Sequence, residues 1–330
     1  MPPFVLIGLA AGIASAVLFA SATAGNPAGR LLLFFLAPLP GFLAGLGWGA
    51  AAAAISAAAA SLACAVILSP MSGGLLFLSQ GLPITALSHL AHLSRDVPVG
   101  QQPMGGSGPA ATPVEWYPVG RLVAVATLMA GLLAFLTVLL IGSDLDETRK
   151  LLREMLEKVF LQNLPMFRDR SFTEPEIAAL TELMLYTLPA ASALSWLTSF
   201  LLNLYLAGRI TVASGRLPRP WPDLPALAYP RGFGIGLALA LGVVVSTSGY
   251  PALFASGFAG AFLFAYLLLG LAIVHYVTRG ATGRPFILSG LYLGLFFLNT
   301  WAALALAVLG VVEPLLPWRR WRDVRRPGPD

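Results

Sequence analysis

Long apolar runs, separated by short polar or proline-rich punctuation, occupy most of the chain. A hydrocarbon core ~30 Å thick needs about 20 apolar residues of helix at ~1.5 Å per residue. Phe4–Ala22, Ala50–Ser69, Gly73–Leu93, Arg121–Gly142, Leu183–Gly208, Phe233–Ser248 and Ala252–Val277 meet or approach that length. Leu31–Leu46 is shorter and carries Pro38 and Pro40, so it reads as a span broken at that point. Pro285–Pro317 is too long for one crossing and reads as two short helices turning near Asn299. The pattern predicts an all-α, polytopic transmembrane bundle of about eight spans plus a C-terminal helical hairpin or re-entrant pair.

Within Leu36–Leu68 a small residue stands at every fourth position: Ala37, Gly41, Gly45, Gly49, Ala53, Ala57, Ser61 and Ala65. As one helix, Leu31–Ser69 would extend about 58 Å, nearly twice the hydrocarbon core. The chain must therefore turn, and Gly45–Gly49 is the natural place, with Trp48 suited to the headgroup layer. The alanine-rich arm after the turn belongs inside a bundle, where small side chains let helix backbones approach. The first span carries a similar ladder at Gly8, Gly12, Ala16 and Ala20. Gly8, Gly12, Ala16, Ala20, Gly41, Gly45, Ala53 and Ala57 are thus the predicted residues of packing against a partner helix. The first span resembles a cleavable signal only in the small residues of "ASATAG"; no Lys or Arg precedes it and its apolar run is long, so it is read as a retained span.

Composition agrees with this reading. The chain is 57% hydrophobic and 11% charged, with mean hydropathy +0.80. A water-soluble domain carries roughly 25% charged residues, so the partner of most of this surface is the lipid bilayer. Arginines then set the expected orientation. Arg209, Arg216, Arg219 and Arg231, then Arg279 and Arg284, then five arginines in "WRRWRDVRR" mark cytoplasmic segments. Both termini become cytoplasmic, and 143–182 lies outside. The expected layout is a six-helix membrane bundle over 1–208, a proline-rich interfacial segment over 209–231, transmembrane helices over 232–317 and a basic tail over 318–330.

The outer segment predicts an amphipathic helix capped by Ser143 or Asp144, with Leu151, Leu152, Met155, Leu156, Val159 and Phe160 on one face. Lys150–Glu154, Arg153–Glu157 and Glu154–Lys158 are available as i,i+4 pairs. Thr173 and Glu176 form a capping-box pattern for a helix that runs on into the next span through Pro189. The outer helix either lies on the membrane surface or covers a cavity that opens outward. Ser94–Pro118 and Gly215–Pro230 read as linkers, the second lying along the inner interface.

Chemical motifs are sparse. Lys150 and Lys158 are the only lysines, and neither ends a glycine-rich phosphate loop, so the chain is not its own ATPase. Cys64 is the sole cysteine. No acidic or basic residue sits in the middle of a span, which counts against proton pumps and intramembrane hydrolases; no enzymatic activity and no cofactor are expected. His89 and His92 share a helical face, but no third metal ligand accompanies them. Gln80, Trp196, Asn203 and Asn299 are the notable polar groups of the spans, and such groups usually bond another helix. The basic tail is a topogenic cluster, and no nucleic-acid partner is expected.

Three landmarks carry a family resemblance: "LAPLPGFLAGLGWGAAAA", then "LPAASALSWLTSFLLNLYLAGRI" with "LPRPWPDLPALAYP", and finally "LGVVEPLLPWRRWR". In order and spacing they resemble the YybS-like family of bacterial membrane proteins of unknown function. Gly-Trp in the first turn, where such proteins often carry a basic residue, and Pro314 and Pro317 near the end depart from that pattern. The first six spans are also similar, at the level of fold, to substrate-binding subunits of energy-coupling-factor transporters. That likeness implies that Gly8, Gly12, Ala16 and Ala20 meet a partner subunit and that an ATPase is a separate chain.

Two functions follow as expectations. One is small-molecule binding or transport, with Gln80 and Trp196 in a pocket beneath the outer helix. The other is an envelope scaffold that recruits partners without transport; a lipid-modifying enzyme is a weaker third.

Overall fold

The computed structural model describes residues 1–22, 27–96, 114–141, 144–161, 172–316 and 318–319. Its helices are α1 (Pro3–Ser21), α2 (Pro27–Leu36), α3 (Leu39–Trp48), α4 (Ala50–Ile67), α5 (Pro70–Leu76), α6 (Leu82–His92), α7 (Val119–Ile141), α8 (Leu145–Met155), α9 (Glu174–Ala213), α10 (Phe233–Ser246), α11 (Tyr250–Val277), α12 (Arg284–Leu298) and α13 (Thr300–Val312). A wider π-helical turn, Phe77–Gly81, joins α5 to α6, and another, Leu156–Leu161, extends α8. Among the described residues seven helices are long and apolar enough to cross a membrane, with α2 and α3 together making one of them. The helical, polytopic fold read from the sequence is therefore the observed one.

Several boundaries differ. The expected span Phe233–Ser248 is a helix of 14 residues, about 21 Å long, ended where Ser246 and Thr247 turn their hydroxyls back onto the Gly242 and Val243 carbonyls. The final run does divide, into α12 and α13, at Asn299 with φ +36°. The ends of the first expected linker pair as a two-stranded antiparallel ladder, Ser94–Asp96 (β1) with Val114–Trp116 (β2). The intervening residues, the cap at Ser143 and the tail beyond Arg319 lie outside the described residues.

The helices pack as two compact units, one of residues 1–126 and 198–223, the other of 127–197 and 224–330. In the first unit, α1 lies parallel to α4 with almost no side chain between them. A Cβ on Gly8 would lie 2.8 Å from the Ala52 carbonyl oxygen, and one on Gly12 would lie 2.5 Å from that of Ser56. α3 turns into α4 at Gly49, whose φ of +92° only glycine adopts without strain. α3 and α6 run parallel, with Gly41 facing Ile84 and Gly45 facing Ser88.

The break between α2 and α3 at Ala37–Pro38 frees carbonyl groups in an apolar setting, where each needs a protein donor. Ser199 Oγ and Asn203 Nδ2, both from α9, donate to the Phe35 carbonyl at 2.9 and 2.6 Å. Asn203 thus bonds another helix, as a polar residue in a span is expected to do.

In the second unit α11 is the central helix. Gly257 and Gly260 let it approach α7 and α9, with Ala134 and Ala190 as the opposing residues. Gly270 and Gly310 set α13 antiparallel against it, touching Leu306 and Tyr266. α9 continues through Pro189 as one helix of 40 residues, as expected.

Candidate functional site: a groove between α4 and α6

The described structure carries an open groove of about 620 Å³ on the first unit, between α4 and the α5–α6 hairpin arm. Ala50, Ala54 and Ala58 form one wall; Phe77, Leu82, Ala86 and His89 form the other, with Thr85 between. The alanine repeat leaves this space because α4 has two different small faces. Ala53 and Ala57 are 0% and 5% exposed, turned to the bundle, while Ala54 and Ala58 lie on the open side.

The other wall owes its shape to Pro83. Proline lacks an N–H and its ring crowds the carbonyl four residues back, here Ser79, so the helix widens into the π turn immediately before it. Two hydroxyls bond back along the same helix: Ser79 Oγ donates to the Leu75 carbonyl at 2.7 Å and Thr85 Oγ1 to that of Gly81 at 2.9 Å. Gly81 meanwhile lies so close to α4 that its Cβ would sit 2.9 Å from that of Ala57. The π turn thus seats the hairpin arm against α4 and turns Phe77 outward, 41% exposed.

Three arginines of the first unit lie over tryptophan rings. The Arg216 guanidinium lies 4.8 Å from the Trp48 ring centre, two residues before Ala50. Arg209 lies over Trp221 at 5.3 Å and Arg219 over Trp116 at 6.0 Å. Arg219 Nη1 also donates to the Ala91 and Tyr117 carbonyls, each at 3.3 Å, joining the end of α6 to the start of α7. Burial pushes the Arg219 guanidinium below its ordinary pKa, and its Nε has no partner. His92 ties the same end together, its ring nitrogens 2.8 Å from the Ser88 carbonyl and 3.2 Å from that of Leu46.

The predicted site residues fall as follows. Gln80 is 7% exposed and sits in the π turn of the first unit, whereas Trp196 is half-buried on α9 in the second. The ladder Gly8, Gly12, Ala16 is consumed inside the chain, because it packs on α4, with Ala16 1% exposed beside Ala60, Cys64 and Leu76. The helix these three positions meet in this structure is α4 of the same chain; Ala20 is half-buried near the end of α1. Gly41, Gly45, Ala53 and Ala57 likewise meet helices of their own chain.

The outer helix α8 is docked on the second unit. Leu152 and Leu156 are buried, and Leu152 packs with Val138, Leu185 and Leu253. Arg149 reaches Glu182 at 2.5 Å and Arg153 reaches Glu174 at 2.5 Å. These hydrogen bonds to carboxylates raise both guanidinium pKa values. Side chains fill the space directly beneath Leu152. The predicted apolar face is split: Leu151 and Met155 are exposed, and the side chains of Val159 and Phe160 lie outside the described residues. Asp144 occupies the cap position without a side-chain bond to the helix, and Thr148 Oγ1 donates to its carbonyl instead. Glu154 pairs with Lys158, and Arg153 with Glu157. Glu176 accepts from both the Thr173 amide and the Thr173 hydroxyl.

One pair went unseen in the sequence. Glu313, at the end of α13, is 9% exposed and accepts from Arg319 at 2.8 Å, and Arg319 also donates to the Leu227 carbonyl at 2.7 Å. A Glu six residues before an Arg gives no helical spacing signal. Among the described residues no three His, Cys, Asp or Glu side chains gather as a metal site.

Residues 13–313 match the model of the family described as "Predicted membrane protein (DUF2232)". The match agrees with the resemblance to YybS-like proteins. No curated protein and no solved structure matches, and the likeness to energy-coupling-factor subunits finds no support.

Proposed function

From the premise that the chain belongs to the DUF2232 family of predicted membrane proteins, we propose that it binds an apolar small molecule drawn from the lipid phase and catalyses no reaction of its own. The groove between α4 and α6 carries this reading, because it is a formed concavity lined almost wholly by carbon on membrane-crossing helices. Such concavities with a few polar groups at one end are the usual form of small-molecule sites. The proposal moves the site from the outer helix to the α4–α6 face. It retains Gln80 as a residue of the π turn behind that face, and it keeps the bacterial cytoplasmic membrane with both termini inside.

The test is thermal stability of purified protein with added membrane lipid extract, since a ligand of the folded state stabilises it by mass action. The parent gains stability with lipid, and Ala54→Phe and Ala58→Phe gain less because the ring fills the groove. Equal gains in all three would remove the groove as the site.

One observation favours the scaffold reading. No residue of α12 is buried, and Gly290 and Gly294 have nothing within 4 Å of the Cβ each would carry. If that helix recruits a partner, Gly290→Ile with Gly294→Ile leaves the fold stable and abolishes rescue of a deletion strain. Full rescue would remove this second reading.

A further inference from the structure

The uncharged run Leu183–Gly208 ends at Arg209, the first charged side chain to follow it. Leu202, Tyr205 and Arg209 stand three and four residues apart on α9, so they share one face of the helix, and all three are exposed. Trp221 folds back onto that face. Its ring centre lies 5.6 Å from that of Tyr205, and the Arg209 guanidinium lies 5.3 Å from the indole. Gly208 admits the indole, since a Cβ there would lie only 3.0 Å from Trp221.

The charge at this end of α9 is not neutralised by the chain. Among the described residues no carboxylate pairs with Arg209, Arg216 or Arg219, whereas Arg149, Arg153 and Arg319 each reach one. Arg216 stands near the same helix end, because a Cβ on Gly47 would lie 3.6 Å from Thr211 and 3.8 Å from Arg216. A guanidinium stacked on a ring keeps its N–H edge free, and that edge fits the oxygens of a phosphate. One and two turns before Arg209 the same face turns apolar, at Tyr205 and Leu202. A soluble anion gains nothing from those two side chains, and an acyl chain does. Tryptophan and tyrosine settle at headgroup depth, where basic groups attract anionic lipid.

We infer that this face of α9 binds an anionic phospholipid, its phosphate at Arg209 and one acyl chain along Tyr205 and Leu202. The site shares no residue with the groove between α4 and α6, and it stands or falls apart from that groove.

The experiment is native mass spectrometry of the full-length protein released from detergent. It is first incubated with equal amounts of phosphatidylglycerol and phosphatidylcholine of the same chains. The parent retains phosphatidylglycerol in excess. Arg209→Gln, a change at an exposed position, lowers that excess about fivefold, the factor expected for one arginine near an anionic surface. Arg209→Ala does the same and serves if Arg209→Gln fails to fold. Arg149→Gln removes an equal charge from an arginine already paired with Glu182, and it leaves the excess unchanged. Glycerol 3-phosphate in large excess, a phosphate without chains, leaves the bound lipid in place. Equal retention of the two lipids by the parent overturns the site. An excess unchanged in the Arg209 variants, or lowered as much in Arg149→Gln, overturns it too. Release of the lipid by glycerol 3-phosphate overturns the lipid as ligand and makes the face one for soluble phosphates.

Discussion

Gly12 of α1 and Ser56 of α4 meet backbone to backbone: a Cβ on Gly12 would lie 2.5 Å from the Ser56 carbonyl oxygen and 3.0 Å from the Ala60 nitrogen. Neither backbone atom can rotate aside. Gly12→Ala must separate the helices, and overpacking of this kind costs about 1–3 kcal/mol. Gly290→Ala, on the open face of α12, costs nothing measurable by the same argument. Thermal unfolding in one detergent checks the contrast, and equal losses at both positions would contradict the packing described.

Ala57 gives a second test of the same kind on the facing side of α4. It is 5% exposed against Gly81, so Ala57→Leu overpacks the seat of the π turn and costs about 1–3 kcal/mol. Gly47→Ala meets only Thr211 at 3.6 Å and Arg216 at 3.8 Å, ordinary contact distances, and is tolerated. Parent-like stability of Ala57→Leu would place that face in lipid.

The two ladders were legible because a period of four and a residue size are both written in the sequence. Which helix each ladder meets was not, since Gly8 and Gly12 present the same pattern to α4 as they would to another chain. A turn within Gly45–Gly49 followed from run length and the glycines there, and the division near Asn299 from run length and the arginine count. The groove escaped notice for a different reason. It depends on a π turn before Pro83, and on Ala54 and Ala58 being left open while their neighbours Ala53 and Ala57 are covered. Those are consequences of packing and not of composition. The Arg–Trp contacts were visible only as separate arginines and tryptophans.

The docking of α8 predicts unequal losses at neighbouring positions. Leu152 is 2% exposed among Val138, Leu185 and Leu253, so Leu152→Ala removes packed volume at about 2–5 kcal/mol. Arg149 is partly solvated, and Arg149→Gln costs less than about 1 kcal/mol despite its contact with Glu182. Protease cleavage within 145–155 reads the difference: rapid in Leu152→Ala and near the parent rate in Arg149→Gln. The reverse order would make α8 an electrostatic attachment.

Glu313 and Arg319 form a mostly buried pair, 11% and 17% exposed at their side chains. Removing one partner strands the other, so Arg319→Gln alone costs about 3–5 kcal/mol. Adding Glu313→Gln removes the stranded charge and restores part of the loss. Unfolding of the single and double variants measures this, and a double variant worse than the single one would contradict it.

Orientation is tested with cysteines at positions 157 and 326 in a Cys64→Ser background, where the replaced thiol is fully buried in the parent. Position 157 should react with an impermeant reagent from outside and position 326 only after the membrane is opened. Labelling of position 326 in intact cells would place the carboxyl terminus outside.

The groove itself is read most directly by photocrosslinking in bilayers. Phosphatidylcholine carrying a photoactivatable group on its acyl chain is mixed into vesicles with the protein, and adducts are mapped to peptides. Adducts concentrated in 50–58 and 77–89, and lost on Ala54→Phe, are the predicted result. Adducts spread evenly over the apolar helices, α12 among them, and unchanged by Ala54→Phe would contradict it.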